Sequence, residues 1–391
     1  MRYAFLLIFI ALLFAVHWAV YCFLSQALKI VERKSEIILL IVMLTLSFSF
    51  IIFALLTRIW ESKITTFLYF SSGLWYGLLI NLLLSAGVYW IIILLFKFFK
   101  VDQDMALIGQ IAIILAIIYT GLGVYNAFFP VVKNITVEIK DLPTEWQGKT
   151  IVQLSDLHLG RVLGKGFLNR VVNKVNTLNP EAVVITGDLF DGMDGNIASF
   201  TGLLDSLKAR QGTYYVTGNH DIYIGFEEVM ETLNKTKINV LKDKTVNVNG
   251  LQIIGVSWPD FNENKDIKKI ILSDENFSLD EPSILLYHSP ANIFSIIKGK
   301  SQWHNSIYFT PDVDFKIAKE LGIDLQLSGH THKGQVFPFG FITKLIYGGY
   351  DYGLNKKNGF TIYTTSGTGV WGPTMRTEGR SEIVAITLRN K

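Results

Sequence analysis

Cysteine is almost missing from this chain, and the single one, Cys22, lies in an apolar N-terminal stretch. That excludes an intrachain disulfide and a thiolate metal site, and leaves the redox compartment unread. A dominant charge is missing too. Lysine and arginine total 36 against 33 aspartate and glutamate, a net of +3, too little to argue for nucleic acid. No internal repeat and no low-complexity segment is visible, so repeat architectures are set aside.

Charge is scarce over residues 1–130, although half of all 391 residues are hydrophobic. Apolar runs fill 3–25, 37–57, 67–96 and 105–129. Each is long enough to cross a bilayer as a helix, which takes about 18–20 apolar residues. No short apolar core followed by a small-residue cleavage site marks the first run as a signal peptide. The spacing therefore predicts four transmembrane helices, with 1–130 as the membrane region. His17, Asn81 and Gln110 are expected to bond between helices, since no charged pair marks a transport path. Four spans put Arg2, Arg58, Lys63, Lys133 and Lys140 on one side, and Lys29, Arg33, Lys34, Lys97 and Lys100 on the other. That balance leaves the membrane side open, with a cytoplasmic catalytic domain as the working expectation.

After Pro130 the texture changes. Ile135–Ile139 alternates like a half-buried strand, and strands then alternate with helical stretches. Strands are predicted at 150–154, 182–186, 213–217, 238–241, 245–249, 251–256, 283–288, 323–328, 361–365 and 383–388. Helices are predicted at 166–178, 197–209 and 226–234. Such βαβ units mixed with hairpins like Val248-Asn249-Gly250-Leu251 argue for an α/β domain over 131–391, with a mixed sheet or two stacked sheets.

Polar clusters follow the predicted strands. They are Ser155-Asp156-Leu157-His158, Gly187-Asp188-Leu189-Phe190-Asp191, Gly218-Asn219-His220-Asp221, His288, and Gly329-His330-Thr331-His332. Ligands of α/β sheets bind at such strand ends. In extended chain, residues two apart share a face, so Asp156 aims with His158, and His330 with His332. Each cluster alone reads as ordinary turn chemistry. Together they hold five of the seven histidines, and glycines stand before three of the polar groups, allowing close backbone approach. Asp156, His158, Asp188, Asn219, His288, His330 and His332 suffice for two divalent ions sharing one carboxylate. Oxygen and imidazole donors without thiolate suit Mn, Fe or Zn.

In this order the set resembles the calcineurin-like metallophosphoesterase family: Asp-x-His, Gly-Asp-x-x-Asp, Gly-Asn-His-Asp, a lone His, Gly-His-x-His. Val152–Gly160 and the tail Gly367–Arg376 resemble its bacterial membrane-anchored branch, near enzymes that cleave the pyrophosphate of UDP-diacylglucosamine. The resemblance implies a four-layer α/β sandwich, two mixed β-sheets flanked by helices, preceded here by the all-α four-helix transmembrane region. It implies that Asp156, His158 and His332 hold one metal, that Asn219, His288 and His330 hold the other, and that Asp188 bridges them. His220 would face the leaving group or the phosphate oxygens. Asp191 and Asp221 would orient imidazoles. A metal-bridging hydroxide would attack phosphorus.

The expected protein is thus a membrane-anchored phosphohydrolase acting on a phosphodiester, pyrophosphate or phosphomonoester. The anchor favours a lipid substrate over a soluble phosphorylated small molecule. A scaffold or receptor with structural metals and no turnover is the alternative. The segment 291–322 is read either as an amphipathic lid or as a helix and loop packed on the sheet. Arg376 is read either as a phosphate clamp or as a solvated side chain.

Overall fold

The computed structural model describes residues 2–192, 196–259, 266–293, 311–357 and 359–391. The chain divides into two units. One comprises Met1–Tyr125 with Gly372–Thr377, the other Asn126–Trp371 with Glu378–Lys391.

The first unit is built on four long helices, α1 (Arg2–Ala27), α2 (Arg33–Ile59), α3 (Lys63–Phe99) and α4 (Met105–Phe128). All four are long and apolar enough to cross a membrane. A capping box starts α3: Ser62 Oγ accepts from the Thr65 amide, and Thr65 Oγ1 accepts from the Ser62 amide. Val20, Phe23, Met43, Leu79, Leu82 and Tyr89 pack inside. Ile38, Leu55, Ile91, Leu94 and Ile114 face outward; water would penalise so much exposed apolar surface, whereas lipid accepts it. Polar side chains bond between helices as expected. Trp75 Nε1 donates to His17 Nε2 at 3.2 Å, Asn81 Nδ2 to Thr120 Oγ1 at 2.9 Å, and Gln110 Nε2 to the Ala27 carbonyl at 3.3 Å.

The segment Gly372–Thr377 sits among these helices. A Cβ at Gly77 would collide with the Met375 side chain, one at Gly73 would lie 2.9 Å from the Gly372 carbonyl oxygen, and one at Gly123 would lie 2.8 Å from Thr377 Cγ2. The Arg376 amide donates to the Gly123 carbonyl at 2.9 Å, and Tyr119 Oη to the Thr377 carbonyl at 3.1 Å. Three glycines thus make room for a loop, and Met375 and Arg376 are fully buried.

The second unit carries two six-stranded mixed sheets among the described residues. The strands are β1 (Val131–Ile139), β2 (Thr150–Leu154), β3 (Ala182–Thr186), β4 (Thr213–Val216), β5 (Ile238–Val240), β6 (Lys244–Val248), β7 (Leu251–Val256), β8 (Ser283–Tyr287), β9 (Leu325–Ser328), β10 (Gly353–Lys357), β11 (Phe360–Thr364) and β12 (Glu382–Asn390). Their order is β1-β12-β2-β3-β4-β5 in one sheet and β10-β11-β9-β8-β7-β6 in the other. β2 to β5 run parallel, as do β7, β8, β9 and β11. Alternate residues of both sheets, including Ile151, Val184, Val216, Ile253, Leu286 and Leu327, form one core between them. The opposite faces are covered by α5 (Lys165–Thr177) on one side and the helices Ile267–Leu272 and Lys316–Glu320 on the other. The result is the expected four-layer sandwich.

Two local expectations change. The helix predicted over 197–209 is a 3₁₀ turn, Ile197–Phe200, and one helical turn, Thr201–Leu204. It stops because the Lys208 amide donates to Asn176 Oδ1 at 2.8 Å, while Asp205 Oδ1 accepts from the Lys237 amide at 2.7 Å. Long-range side chains replace the helical ladder. β10 was not expected, since Gly-Leu-Asn-Lys-Lys has little strand propensity; it lies at a sheet edge, where the exposed Lys356 guards against further pairing.

Candidate metal centre

The parallel strands deliver the polar clusters from their C-terminal ends. β2 leads to Asp156 and His158, β3 to Asp188, β4 to Asn219 and His220, β8 to His288, and β9 to His330 and His332. The backbone at these residues is not the extended chain expected of Asp156, His158, His330 and His332. Asp156, His158, Asp188, His330 and His332 have φ of +50°, +46°, +50°, +73° and +50°. Left-handed backbone at residues other than glycine costs about 1–3 kcal/mol each and persists only where the surroundings enforce it. They do so here. The Asp156 amide donates to the Gly187 carbonyl (3.0 Å), the His158 amide to the Asp188 carbonyl (3.1 Å) and the His330 amide to Asp156 Oδ1 (3.0 Å).

The side chains converge. Nε2 of His158 and Nε2 of His332 lie 3.1 Å apart, and His332 Nε2 is 3.3 Å from Asp156 Oδ1. His288 Nε2 is 3.1 Å from Asp188 Oδ2 and 4.0 Å from Asp156 Oδ1. Asp188 Oδ2 also lies 3.8 Å from His158 Nε2, so this carboxylate stands between two donor groups. His330 Nδ1 and Asn219 Oδ1 are 3.0 Å apart. Asp188 Oδ1 accepts from the His220 amide at 2.8 Å. Among the described residues three donor sets could each hold a cation: Asp156, His158 and His332; Asp156, Asp188 and His288; and His158, Asp191 and His220.

Glycine makes the closeness possible. A Cβ at Gly218 would fall on Asp188 Oδ1, and one at Gly329 on Ser155 Oγ and Asp156 Oδ2.

Burial and mutual charge set the protonation states. Burial raises Asp156 to about 6, with His288 opposing and Asp188 adding. Burial would raise Asp188 too, but His288, His220 and His158 outweigh it and hold this carboxyl well below its usual range. Burial would lower His288, yet Asp188 and Asp156 lift it to about 9. Burial and the neighbouring His288 push His330 down to about 3, leaving a neutral imidazole.

These residues fit divalent cations. The Thr186 carbonyl can only accept, so His288 Nδ1 carries the proton of their 2.7 Å bond. His288 Nε2 is then the nitrogen aimed at the carboxylates, buried and 3.1 Å from Asp188 Oδ2. Such anchoring of the far nitrogen is the usual support of a metal-binding imidazole.

The outer residues are partly as expected. Asp191 Oδ1 lies 3.8 Å from His158 Nδ1, and the Asp191 carbonyl accepts from His220 Nδ1 at 2.7 Å. Asp221 does not orient an imidazole. Its carboxylate accepts from the Gly218, Phe190 and Leu189 amides at 2.8, 3.2 and 3.4 Å, tying the loops after β3 and β4 together. Trp258 was not expected. Buried after β7, its ring lies 5.6 Å from that of His288 and 5.3 Å from that of His330. Only its position directly after an apolar strand could have signalled it. Arg376 is not solvated; it is fully buried and belongs to the helical unit. Of the segment 291–322, residues 294–310, including Trp303 and His304, lie outside the described residues.

Two stacked mixed sheets with imidazoles and carboxylates gathered at their strand ends define a metal-dependent phosphoesterase. The calcineurin-like phosphoesterase profile matches residues 149–334. An uncharacterized metallophosphoesterase of Campylobacter jejuni is 32% identical over 71% of this chain and 69% of its own length. One of Helicobacter pylori is 33% identical over 75% of this chain and 71% of its own. A zebrafish (Danio rerio) transmembrane protein with metallophosphoesterase domain is 31% identical over 71% of this chain and 62% of its own. The chain belongs to the calcineurin-like phosphoesterase family. It is a membrane protein carrying a metal-dependent phosphoesterase domain.

Proposed function

We propose that residues 1–130 anchor a dinuclear phosphohydrolase formed by residues 131–391. In this reading Asp156, His158 and His332 hold one divalent ion, Asn219, His288 and His330 the other, and Asp188 bridges them. Mn, Fe or Zn would suit these donors. When bound, the two ions supply a low-pKa water and neutralise charge growing on the phosphoryl oxygens. The chain's own residues do the rest. Hydroxide adds to phosphorus as the P–O bond to the leaving group breaks, and the departing oxygen needs a proton. His220 donates through Nδ1 to the Asp191 carbonyl, so Nε2 is the nitrogen left to give that proton. Asp188 fixes His220 in turn by accepting its backbone amide.

The observation that supports this most is the placement of Asp188, whose Oδ2 lies 3.1 Å from His288 Nε2 and 3.8 Å from His158 Nε2. One carboxylate oxygen with an imidazole on each side is placed to be shared by two cations. The four apolar helices favour a phosphorylated lipid, because an anchor keeps the catalytic domain near headgroups. We place that domain on the cytoplasmic side, which protease accessibility of the C-terminus in intact cells would test.

The deciding assay is hydrolysis of bis-p-nitrophenyl phosphate with added Mn²⁺ by the full-length protein, run beside Asp188→Asn. Metal-dependent turnover lost in the variant supports the reading. Metal binding without turnover on diesters, monoesters or lipids would favour a scaffold with structural ions.

A further inference from the structure

Two aromatic side chains flank His220, and no step above uses them. The Tyr223 ring lies 5.2 Å from that of His220, centre to centre, at 61°, and the Trp371 ring lies 5.2 Å away at 66°. Both are partly exposed, Tyr223 to 42% and Trp371 to 48%. His220 itself is buried. Leaving an indole in water forfeits much of the stabilisation that its burial would bring.

The position of Trp371 is enforced. The Trp371 amide donates to Gln335 Oε1 at 3.0 Å, and Gln335 Nε2 donates to the Trp371 carbonyl at 2.7 Å. One buried carboxamide thus takes both backbone groups of the residue, as a neighbouring strand would. Gln335 adopts a φ of +55° to do so, a conformation costly for a residue with a side chain. It follows His332 by three positions, so the loop carrying His330 and His332 also grips Trp371.

We propose that Trp371 and Tyr223 form the leaving-group subsite and select a leaving group with a flat aromatic body. The inference rests on His220 facing the departing oxygen. A ring attached to that oxygen meets an indole and a phenol beside His220, where offset or edge contacts are favourable. A linear acyl chain covers two upright rings poorly. A lipid substrate would then keep its acyl part on the phosphoryl side.

The test compares two diesters that differ only in what departs, with the metal-loaded full-length protein. Methyl 4-nitrophenyl phosphate releases an aryl oxide; methyl 2,2,2-trifluoroethyl phosphate releases trifluoroethoxide, which has no ring. Trp371→Ala is expected to raise KM for the aryl diester by roughly 3- to 10-fold, the worth of one aromatic contact. Its effect on methyl 2,2,2-trifluoroethyl phosphate should be twofold or less, Trp371→Phe should restore most of the loss, and Tyr223→Ala should act in the same direction. Equal losses on both diesters, or none on the aryl diester in either alanine variant, would overturn the subsite. Wild-type protein with metal bound that cleaves neither diester would overturn the subsite, and a lack of turnover on monoesters and lipids as well would overturn the hydrolase reading itself.

Discussion

His288 is held from both sides of its ring: Nδ1 lies 2.7 Å from the Thr186 carbonyl, and Nε2 lies 3.1 Å from Asp188 Oδ2. The carbonyl fixes one proton on Nδ1. The second, on Nε2, persists up to about pH 9 because Asp188 and Asp156 outweigh the effect of burial.

Metal binding should therefore release protons. At neutral pH a cation must displace the proton on His288 Nε2, and a group whose pKa is raised holds that proton until the pH passes the raised value. Apparent Mn²⁺ affinity is expected to climb about tenfold per pH unit towards 9 for this one proton. Calorimetric titration in two buffers of different protonation heat measures the release. A heat independent of the buffer would remove His288 from the ligand set.

Asp188→Asn keeps the shape of the side chain and removes the charge that both donor groups share. Turnover is expected to fall to background, with bound metal reduced below the wild-type level. Elemental analysis beside the diester assay checks both, and wild-type-like hydrolysis would rule out a bridging carboxylate.

His220→Ala should behave differently. Loss of a positioned proton donor typically costs about 10²–10⁴ in rate, while metal content should stay near normal. A variant stripped of metal would instead make His220 a ligand, consistent with its place beside His158 and Asp191.

Gly218→Ala and Gly329→Ala test the close approach. Neither glycine has a left-handed φ, so the added methyl acts by contact alone, on Asp188 Oδ1 in one case and on Ser155 and Asp156 in the other. Displacement of a reacting group by about 1 Å can cost roughly 100-fold. Both variants should lose turnover and metal affinity and unfold at a lower temperature than the wild type, since overpacking costs about 1–3 kcal/mol and the Gly218 methyl would also lie 2.5 Å from the Asp188 amide nitrogen. Unchanged kinetics would mean that the carboxylates can shift freely.

Much of this centre could be read from the residue pattern, because its parts are local. An apolar strand followed by a polar residue, with glycine just before it in three of the five cases, places a side chain at the strand's C-terminal end wherever the strand lies. That covers Asp156, Asp188, Asn219, His288 and His330. The residues that escaped work over long range. Trp258 acts through ring contacts, and Gln335 through the backbone of Trp371, with no spacing between partners to betray it. The family resemblance implies that Asp221 orients an imidazole; only the folded chain shows three amides pointing at it. The short helix ending at Leu204 was cut by Asn176 and by the Asp205–Lys237 contact, neither of which its own apolar pattern records.

The seat that Gly73, Gly77 and Gly123 provide for residues 372–377 bears on how the protein is made for study. Cutting at residue 130 to obtain a water-soluble fragment would strip Met375 and Arg376 of the helices that bury them, leaving a greasy, cationic loop in buffer. Detergent- or nanodisc-solubilised full-length protein is the preparation in which that loop keeps its surroundings.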